Sequence, residues 1–367
     1  MKILVVQDHL RSGGTERQSI LLARAFTAAG HPTTLLTFRP NGALAGDLSG
    51  VKSQSLMPVD LHLDWFAPGL LRAVVAAAPD VVLCMGRMAN CYAGFIQKRC
   101  PGAAVVGTMR TGKPLPWLFR RSLRRVRHIV ANSHAAKQTL IDNLRLPAEK
   151  ITVIHNSLVF GNPSGGSRDE TLRAQFGASP TATVLLCVAM FRPGKNQHEL
   201  IEIAAGLPKE LDWQLWLAGD GITRAACEHT VAKHRLSSRV RFLGWRRDPS
   251  PLYLAADIAV HASQTESLSN FLIEAQAHGL PAVVYDAQGI SECFVPGETG
   301  FVLSRGDRLG FQSTVERLAH ATPEERKARA AHARSFAAAT FDPQRHTLEY
   351  LELLGRLTSR RALPSKP

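Results

Sequence analysis

The chain has 367 residues, of which 45% are hydrophobic and 20% charged, and it carries a formal net charge of +14. This length favours two domains, and the composition excludes a disordered or fibrous protein. No apolar run reaches the ~18 residues that a membrane span needs, and the N-terminus lacks a signal-peptide pattern. The six scattered cysteines form no Cys-x-x-Cys pair, so reduced thiols in a cytoplasmic protein are expected rather than disulfides or a zinc site.

The positive charge lies almost entirely in the first half of the chain. Residues 1–160 contain 20 basic and 8 acidic residues, a net charge of +12, whereas the remaining 24 basic and 22 acidic residues nearly cancel. Such an asymmetry favours an anionic partner for the first half: membrane lipid, a phosphorylated acceptor or nucleic acid.

Residues 1–160 alternate short hydrophobic runs with amphipathic stretches, which is typical of a parallel sheet covered by helices on both faces. The predicted strands are Ile3–Val6, Thr33–Thr37, Val81–Met85, Ala104–Thr108, His128–Ala131 and Ile151–His155. The predicted helices are Thr15–Ala29, Pro68–Ala78, Ala89–Lys98, Leu115–Arg125 and Ala135–Leu144. We expect one Rossmann-like domain here, with ligands at the carboxyl ends of its strands.

A stretch rich in Gly, Pro and Ser follows, and we predict a linker over residues 161–175. A second alternating series predicts another domain of the same architecture over residues 176–340. Its predicted strands are Thr183–Val188, Trp213–Ala218, Val240–Leu243, Ile258–Ala262, Ala282–Tyr285 and Phe301–Leu303. A last helix is predicted over Pro343–Leu357, within a C-terminal segment 341–360. The predicted fold class is therefore α/β, with two doubly wound domains facing each other across a cleft.

Two carboxylates, Glu266 and Glu274, stand eight positions apart around a predicted helix start. Ser267 and Ser269 are good capping residues, and Gly279 should end the helix. A helix N-terminus between two carboxylates suits a ligand with anionic or hydroxyl groups. The alternative is that both are solvated carboxylates on an ordinary surface helix.

Gly13 and Gly14 join the first predicted strand to the first helix. Glycine lets a backbone approach a ligand closely, and a helix N-terminus favours phosphate. Thr15 and Gln18 have the spacing of a capping box that would fix the start of this helix. A tight turn without a ligand explains the two glycines equally well, and the pattern is not a Gly-x-Gly-x-x-Gly fingerprint, which argues against a dinucleotide dehydrogenase.

Arg192 and Lys195 lie in a Pro-Gly turn directly after a predicted strand of the second domain. A guanidinium fork and an ammonium at the end of a strand suit a diphosphate. The alternative is a solvated basic turn. Gly219 and Gly244 also follow strands, where backbone groups could grip a nucleobase, but simple turn chemistry accounts for them as well.

The order of these motifs resembles that of the family-4 (group 1) retaining glycosyltransferases, which have the GT-B fold. The resemblance spans nearly the whole chain. The matching pieces are Gly13–Arg17, Val153–Asn156, Arg192–Asn196, Leu217–Gly221, Phe242–Gly244, the Glu266-x7-Glu274 pair continuing to Pro281, Gly289-x2-Glu292 and Pro296–Phe301. It implies two Rossmann-like domains and a C-terminal helix that returns to the first of them.

The resemblance also implies roles for single residues. Arg192 and Lys195 match the pair that binds the donor diphosphate, Glu274 the carboxylate that holds the ribose hydroxyls, and Glu266 the one that touches the transferred sugar. Residues on the donor side are Gly13, Gly14, Gly219, Gly244, Ser267, Leu268, Ser269, Asn270 and Phe271. Those on the acceptor side are Glu16 and Arg110.

The chain departs from the family pattern at three positions. Met190 stands where many members have Arg, so Arg192 would have to bind the donor diphosphate in place of that Arg. Ser267 replaces the usual Gly after the first glutamate, which would narrow the sugar pocket. Arg110 stands where many members have a His, so a contact with phosphate replaces a neutral hydrogen bond there.

No Asp-x-Asp pair is available to hold Mg²⁺ against a diphosphate, so we expect a reaction without a metal or other cofactor, in which fixed cations and a helix dipole stabilise the leaving group. Retention of configuration is implied by the resemblance alone. A two-carboxylate glycosidase is disfavoured, because nothing supplies the opposed acid and nucleophile.

The segment 117–130 carries five arginines, with Phe119, Leu123, Val126 and Val130 at helical spacing. This pattern is typical of an interfacial helix on anionic lipid. The alternative is a helix whose apolar face packs on its own sheet. Nucleic acid is disfavoured, because no interleaved exposed aromatics or nucleic-acid motif accompany the arginines.

The predicted function is a hexosyltransferase that moves a sugar from a UDP- or GDP-sugar to an acceptor hydroxyl. The predicted acceptor is a lipid-linked saccharide or an intermediate of lipopolysaccharide or exopolysaccharide biosynthesis. The protein itself is expected in the cytoplasm or bound peripherally to the inner face of the membrane. The alternative is a non-catalytic GT-B module that binds a nucleotide sugar or an anionic membrane surface.

Overall fold

The computed structural model describes residues 1–160 and 168–359. They form two units. The first is Met1–Val159 together with the C-terminal helix Pro343–Ser359, and the second is Phe160–Asp342. Each unit is built on one parallel sheet with helices packed against it, which confirms the predicted α/β class with two Rossmann-like domains.

The first unit has a seven-stranded parallel sheet. Its strands are β1 Ile3–Gln7, β2 Thr33–Thr37, β3 Lys52–Ser55, β4 Val81–Cys84, β5 Ala104–Met109, β6 His128–Ala131 and β7 Ile151–Val153. Its helices are α1 Gly14–Ala28, α2 Leu70–Ala77, α3 Arg87–Arg99, α4 Trp117–Arg125 and α5 His134–Leu144, with short 3-10 turns at Ala45–Asp47 and Ala148–Lys150. The strand order is β3-β2-β1-β4-β5-β6-β7. Because β1 and β4 to β6 are covered on both faces, nearly all of their residues are buried.

The second unit has a six-stranded parallel sheet, in the order β10-β9-β8-β11-β12-β13. Its strands are β8 Thr183–Val188, β9 Trp213–Ala218, β10 Val240–Gly244, β11 Ile258–His261, β12 Ala282–Tyr285 and β13 Gly300–Leu303. Its helices are α6 Glu170–Gln175, α7 Gln197–Ala205, α8 Arg224–Lys233, α9 Ser250–Ala255, α10 Asn270–Ala277, α11 Arg308–Ala319 and α12 Pro323–Thr340, with 3-10 turns at Pro193–Lys195 and Ser291–Cys293.

The C-terminal helix α13, Pro343–Ser359, belongs to the core of the first unit, as the family resemblance implied. Tyr350, Leu353 and Leu354 are buried there, and the ring of Tyr350 meets that of Phe26 edge to face, with 6.2 Å between the ring centroids. Each such side chain stabilises the packing by about 1.5–3 kcal/mol. The helix is therefore an integral layer of the first unit.

Three local predictions differ from the structure. The strand β3 was missed, because its polar and mostly exposed residues lie at the edge of the sheet, where no burial pattern is needed. Of the predicted linker 161–175, residues 161–167 lie outside the described residues, while Glu170–Gln175 form α6. Arg173 of that helix is buried and donates to Asp257 at 2.9 Å, which ties α6 to the second unit.

The third prediction that differs from the structure is the capping box of α1. The helix begins at Gly14 and Gly13 is its N-cap, without a side-chain capping bond. Gln18 turns instead to Ser157, whose carbonyl accepts a hydrogen bond from Gln18 Nε2 at 2.7 Å. A buried amide needs such partners, and this need outweighs the local capping preference. Within residues 1–160 and 168–359, no helix is both long enough and apolar enough to cross a membrane.

Candidate functional site

The predicted donor motifs of the second unit lie at one edge of its sheet. The Arg192–Lys195 turn follows β8, Gly219 follows β9, Gly244 ends β10 and Glu266 lies in the loop after β11. These strands are adjacent and parallel, so their carboxyl ends meet at the same edge. Motifs that are up to 74 residues apart in the sequence are therefore brought together by the topology.

The glycines after β9 are required by the backbone. Gly219 and Gly221 have φ angles of 139° and 147°, which residues with a side chain rarely adopt. A Cβ on Gly219 would also overlap the carbonyl oxygen of Ala189, and one on Gly221 that of Phe191. The two glycines thus let the turn after β9 support the turn that carries Lys195.

The basic turn Pro193–Lys195 is fastened to the loop after β11. The Gly194 carbonyl accepts a hydrogen bond from Ser263 Oγ at 2.9 Å and another from the backbone N–H of Gln264, also at 2.9 Å. These bonds place Lys195 beside Glu266. The side chain of Arg192, at the start of the turn, is half-buried and makes no hydrogen bond or ion pair with a residue that the structure describes, so its guanidinium is available to a ligand.

Lys195, Glu266 and His261 form a buried cluster. Lys195 Nζ and His261 Nε2 both contact Oε1 of Glu266, the histidine at 2.8 Å. The side chains of Lys195 and Glu266 are only 14% and 9% exposed. Burial alone would raise the pKa of Glu266, but the Lys195 ammonium and the His261 N–H hold that pKa well below its ordinary value. Glu266 is therefore an ionised, buried carboxylate, and the surface interpretation is excluded.

Glu274 is buried as well, in the second turn of α10. Its Oε2 accepts a hydrogen bond from the Tyr253 hydroxyl at 2.7 Å. The Tyr253 ring is buried and stacks on His278, with 4.8 Å between the ring centroids, so the hydroxyl that holds Glu274 is itself fixed. The two glutamates thus have different partners, an ammonium and an imidazole for one and a phenol for the other.

The helix between the glutamates has the predicted form. It begins after Ser269 and ends before Gly279, whose φ is 84°, although Ser269 makes no side-chain capping bond. Four of the predicted donor-loop residues are buried and the fifth, Asn270, is half-buried. The four buried ones are Ser267, Leu268, Ser269 and Phe271. Ser267 therefore lies in a closely packed loop, and its expected narrowing of the sugar pocket stays a prediction.

In the first unit, the Gly13–Gly14 turn lies after β1, and Glu16 folds back over it. A Cβ on Gly13 would overlap the Glu16 carboxylate, so that carboxylate occupies the space beside the N-terminus of α1. A carboxylate at a helix N-terminus is favourable but competes with phosphate for the same N–H groups. The predicted ligand contacts of Gly13, Gly14 and Glu16 stay predictions.

Arg110 is held by two side chains of its own unit. One terminal nitrogen donates to Asn156 Oδ1 at 2.5 Å and the other to the Tyr350 hydroxyl at 2.7 Å. Arg110 therefore links the end of β5 to α13. An acceptor contact there would have to use the remaining donors of the guanidinium, and it stays a prediction.

The sequence reasoning missed three residues at these sites. His261 and Tyr253 hold the two glutamates, and the only sequence sign of His261 was a lone histidine in an apolar strand. Asp8 directly follows β1 and accepts hydrogen bonds from the backbone N–H groups of Met88 and Ala89 at the start of α3. Burial raises the pKa of Asp8 to about 7.

The arginine-rich helix α4 packs in the way the alternative interpretation proposed. Phe119, Leu123 and Val126 are buried in the core of the first unit, and Val130 belongs to β6. The predicted apolar stripe is thus core and not a lipid-facing surface. The arginines themselves are exposed, at positions 120, 121, 124, 125 and 127, and Trp117 is 63% exposed.

A cavity of about 200 Å³ lies at the other edge of the second sheet. Its lining includes Thr183 and Ile258, the first residues of β8 and β11, which are amino ends of strands. It therefore lies away from the turns that carry Lys195, Gly219 and Glu266. The cavity still touches the end of the Glu266–Pro281 motif, because its lining includes His278, Gly279, Leu280 and Pro281 as well as Tyr253, which holds Glu274.

Two family models match the chain, one on each unit. The model for "Glycosyltransferase Family 4" matches residues 12–158, and the model for "Glycosyl transferases group 1" matches residues 168–336. The chain belongs to the group 1, family 4 glycosyltransferases, as the order of its motifs indicated.

Curated relatives match parts of the chain. The lipopolysaccharide core biosynthesis glycosyltransferase LpsE of Rhizobium meliloti is 34% identical over 146 residues, which is 40% of this chain and 42% of the relative. The N-acetyl-alpha-D-glucosaminyl L-malate synthase of Bacillus anthracis is 31% identical over 144 residues, 39% of this chain and 38% of the relative. The chain thus spans about two fifths of the length of these relatives.

Solved structures match over almost the whole chain. Anabaena Alr3699/HepE in complex with UDP has a TM-score of 0.81 at 22% identity, covering 97% of this chain and 100% of that one. WaaG, a glycosyltransferase involved in lipopolysaccharide biosynthesis, has a TM-score of 0.75 at 18% identity, covering 96% and 99%. These likenesses establish the GT-B fold.

Proposed function

We propose that the protein is a glycosyltransferase that moves a sugar from a UDP- or GDP-sugar to an acceptor hydroxyl. The observation that carries this proposal is the pair of buried carboxylates at the carboxyl edge of the second sheet, one of them joined to Lys195. Solvated surface carboxylates need no fixed hydrogen-bond partners, whereas carboxylates that bind the hydroxyls of a sugar must be held in place by such partners. The family membership and the UDP complexes of HepE support the same class of donor.

In this proposal Arg192 and Lys195 bind the donor diphosphate, Glu274 the ribose hydroxyls and Glu266 the transferred sugar. The carbon–oxygen bond to the diphosphate breaks, and the acceptor oxygen forms the new bond on the same face, with retention. A diphosphate oxygen takes the acceptor proton. The two fixed cations stabilise the leaving group, so we propose that the reaction needs no metal or other cofactor.

We further propose that the acceptor is a lipid-linked saccharide or an intermediate of lipopolysaccharide or exopolysaccharide biosynthesis, met at the cytoplasmic face of the inner membrane. The name of LpsE supports this class of acceptor. The exposed arginines of α4 support contact with anionic lipid through charge alone, since the apolar face of that helix is buried.

A donor panel tests the function. The chain is mixed with UDP- and GDP-sugars and its melting temperature is measured, because a bound donor stabilises the fold. Each stabilising donor is then incubated with lipid-linked acceptors, with and without EDTA, and released UDP or GDP is measured. We expect turnover that EDTA leaves unchanged.

Variants locate the activity. Lys195→Ala and Glu274→Ala should abolish donor binding, whereas Lys209→Ala, at an exposed lysine of the same unit, should behave as wild type. Donor binding without turnover on any acceptor would favour the non-catalytic module. Unchanged donor binding in the first two variants would remove these residues from the site.

A further inference from the structure

His261 is the last residue of β11 and is fully buried. Its Nε2 lies 2.8 Å from Oε1 of Glu266. A carboxylate can only accept a hydrogen bond, so Nε2 carries the hydrogen. Nδ1 is buried without a partner in the part of the chain that the structure describes, so a second proton there would have no acceptor. The ring is therefore neutral and donates one hydrogen bond, to Glu266.

Lys195 contacts the same oxygen of Glu266. In the proposed function, which this inference deepens, Lys195 must also neutralise the donor diphosphate. A diphosphate carries more negative charge than one carboxylate, so in this proposal donor binding shifts the Lys195 ammonium from Glu266 towards the diphosphate. A buried carboxylate that loses a neighbouring ammonium needs another hydrogen bond to stay ionised and in place.

We infer that His261 is a positioning residue, which keeps Glu266 ionised and oriented towards the donor sugar when Lys195 turns to the diphosphate. The geometry suits this role. His261 lies in a central strand, and its ring packs edge to face against that of Phe271, with 5.7 Å between the ring centroids. Both partners of Glu266 contact Oε1, which leaves Oε2 as the oxygen for a sugar hydroxyl.

Among the residues that the structure describes, four titratable side chains lie close to Glu266. Lys195 and His261 contact it directly, and the buried thiols of Cys187 and Cys293 lie near it. Burial raises the pKa of both thiols, so they are neutral at neutral pH. Loss of the His261 N–H would therefore leave the donor-bound Glu266 with a raised pKa and no compensating charge.

The test compares His261→Phe, which keeps a ring but removes the donor, with His261→Gln, whose amide restores an N–H. The probes are UDP with UDP-glucose, or GDP with GDP-mannose, whichever pair the wild type binds. We expect His261→Phe to bind the nucleoside diphosphate almost as well as wild type. The ratio of its affinity for the nucleotide sugar to its affinity for the nucleoside diphosphate should fall by about tenfold or more, and so should kcat. This is the usual contribution of a hydrogen bond to a charged group.

The pH profile adds a readout that a packing defect would not move. Because protonation of Glu266 becomes easier without the His261 N–H, the acid limb of kcat should shift to higher pH in His261→Phe and return towards the wild-type position in His261→Gln. The control is His234→Phe, which breaks a 3.0 Å contact of the same kind with Glu202 elsewhere in the unit. It should leave the sugar-dependent affinity and the pH profile unchanged.

The outcomes separate the two claims. A wild type that binds or turns over none of the nucleotide sugars contradicts the proposed function itself. A wild type that turns over donor, together with a His261→Phe variant of wild-type kcat and pH profile, overturns only the role of His261. Equal losses for the nucleoside diphosphate and the nucleotide sugar would also overturn it, because they would indicate a general packing effect.

Discussion

The Tyr253 hydroxyl helps to orient Glu274, since it donates to Glu274 Oε2 at 2.7 Å. Tyr253→Phe should keep the ring packing and lose this bond. We expect affinity for UDP or GDP to fall by about tenfold, because a hydrogen bond to a charged group contributes about 1.5–3 kcal/mol and part of it is regained when the ribose binds. Isothermal titration calorimetry with the nucleoside diphosphate measures the change.

The matched control for this prediction is Tyr285→Phe. Tyr285 is also a buried tyrosine of the second unit, and its hydroxyl donates to Glu199 at 3.2 Å. Its loss should leave nucleotide affinity unchanged. Equal affinity in the two variants would show that Tyr253 does not act through Glu274.

Asp8 makes stability depend on pH. Burial raises its pKa to about 7, so the folded chain binds the Asp8 proton more tightly than the unfolded chain, in which the pKa is ~3.9. The stability from this group is therefore fully present below the unfolded pKa and is lost as the pH rises through about 7. Asp8→Asn cannot titrate, so the free energy of unfolding of the wild type relative to it should fall between about pH 4 and pH 7.

Urea unfolding at a series of pH values measures this difference. The control is Asp142→Asn, at an exposed position of α5, whose difference from wild type should not follow that course. A wild-type advantage over Asp8→Asn that is constant with pH would contradict the assigned ionisation.

At the scale of elements, alanine substitutions at two glycines compare the cost of backbone strain with the added cost of steric overlap. Gly219 has a φ of 139° and abuts the Ala189 carbonyl, whereas Gly244 has a φ of 67° and an added Cβ would meet nothing within 4 Å. Gly244→Ala should cost about 1 kcal/mol of strain. Gly219→Ala should cost about 3 kcal/mol, because it adds overlap to strain, and it should also weaken nucleotide binding by displacing the turn with Lys195.

Unfolding in urea and calorimetry with UDP or GDP check both glycine variants. Equal losses of stability would show that strain alone decides the two positions. A stable Gly219→Ala variant with wild-type affinity would show that the turn after β9 does not position Lys195.

The C-terminal helix α13 offers a second element-scale prediction. Leu354 is buried in the core of the first unit, and Leu348 on the same helix is exposed. Leu354→Ala should lower the free energy of unfolding by about 2–5 kcal/mol, and Leu348→Ala should change it by less than about 0.5 kcal/mol. Denaturant unfolding followed by hydrogen exchange at β1 and β4 measures both. Similar small effects would contradict the integration of α13 into this unit.

The elements that the sequence predicted well are those with buried, periodic residues. The strand β8 was predicted at its observed bounds because its hydrophobic run is continuous. The place of α10 was predicted from the serines before it and from Gly279, which follows its C-cap. β3 was missed because an exposed edge strand has no such pattern. Phe119 and Leu123 do lie on a buried face of α4, but the predicted stripe ran too far, since Val126 caps the helix and Val130 lies in β6. Spacing also cannot tell whether lipid or the chain's own sheet covers such a face.

The site was predictable as a set of motifs and not as a set of contacts. The two glutamates and Lys195 were predicted as donor-site residues from the order of the motifs, and that role stays a prediction. Their hydrogen-bond partners Tyr253 and His261 lie outside the motifs and carry no signal in the sequence. Tyr253 lies 21 residues before Glu274, and His261 reads in the sequence as an ordinary residue of an apolar strand. Side-chain hydrogen bonds of this kind depend on strand register and helix phase, which one sequence does not specify.

At the scale of the whole chain, the charge is unequally divided. Residues 1–160 carry almost all of the net charge of +14. The exposed arginines of α4 and its C-terminal flank form the densest basic cluster of this half, and Trp117 at the start of α4 is exposed beside them. Each basic residue near an anionic membrane contributes about 1 kcal/mol, and the attraction falls with salt.

We therefore predict that the chain binds vesicles of phosphatidylcholine and phosphatidylglycerol, but not of phosphatidylcholine alone, through this cluster. The test variant carries Arg120→Gln, Arg121→Gln, Arg125→Gln and Arg127→Gln. Arg124 is kept, because it donates to the Leu144 carbonyl at 3.2 Å. Removal of four charges should weaken binding by about 100-fold or more. Flotation at low and high salt measures it.

The control removes four exposed charges from the second unit. It carries Lys209→Gln, Lys233→Gln, Arg235→Gln and Lys327→Gln. If net charge alone governs attraction, both variants lose binding equally. If the cluster is the contact surface, the control binds nearly as well as wild type, because charges farther from the membrane than the Debye length of about 8 Å are screened at physiological salt. Equal binding by all three proteins would remove the arginine cluster from any membrane contact.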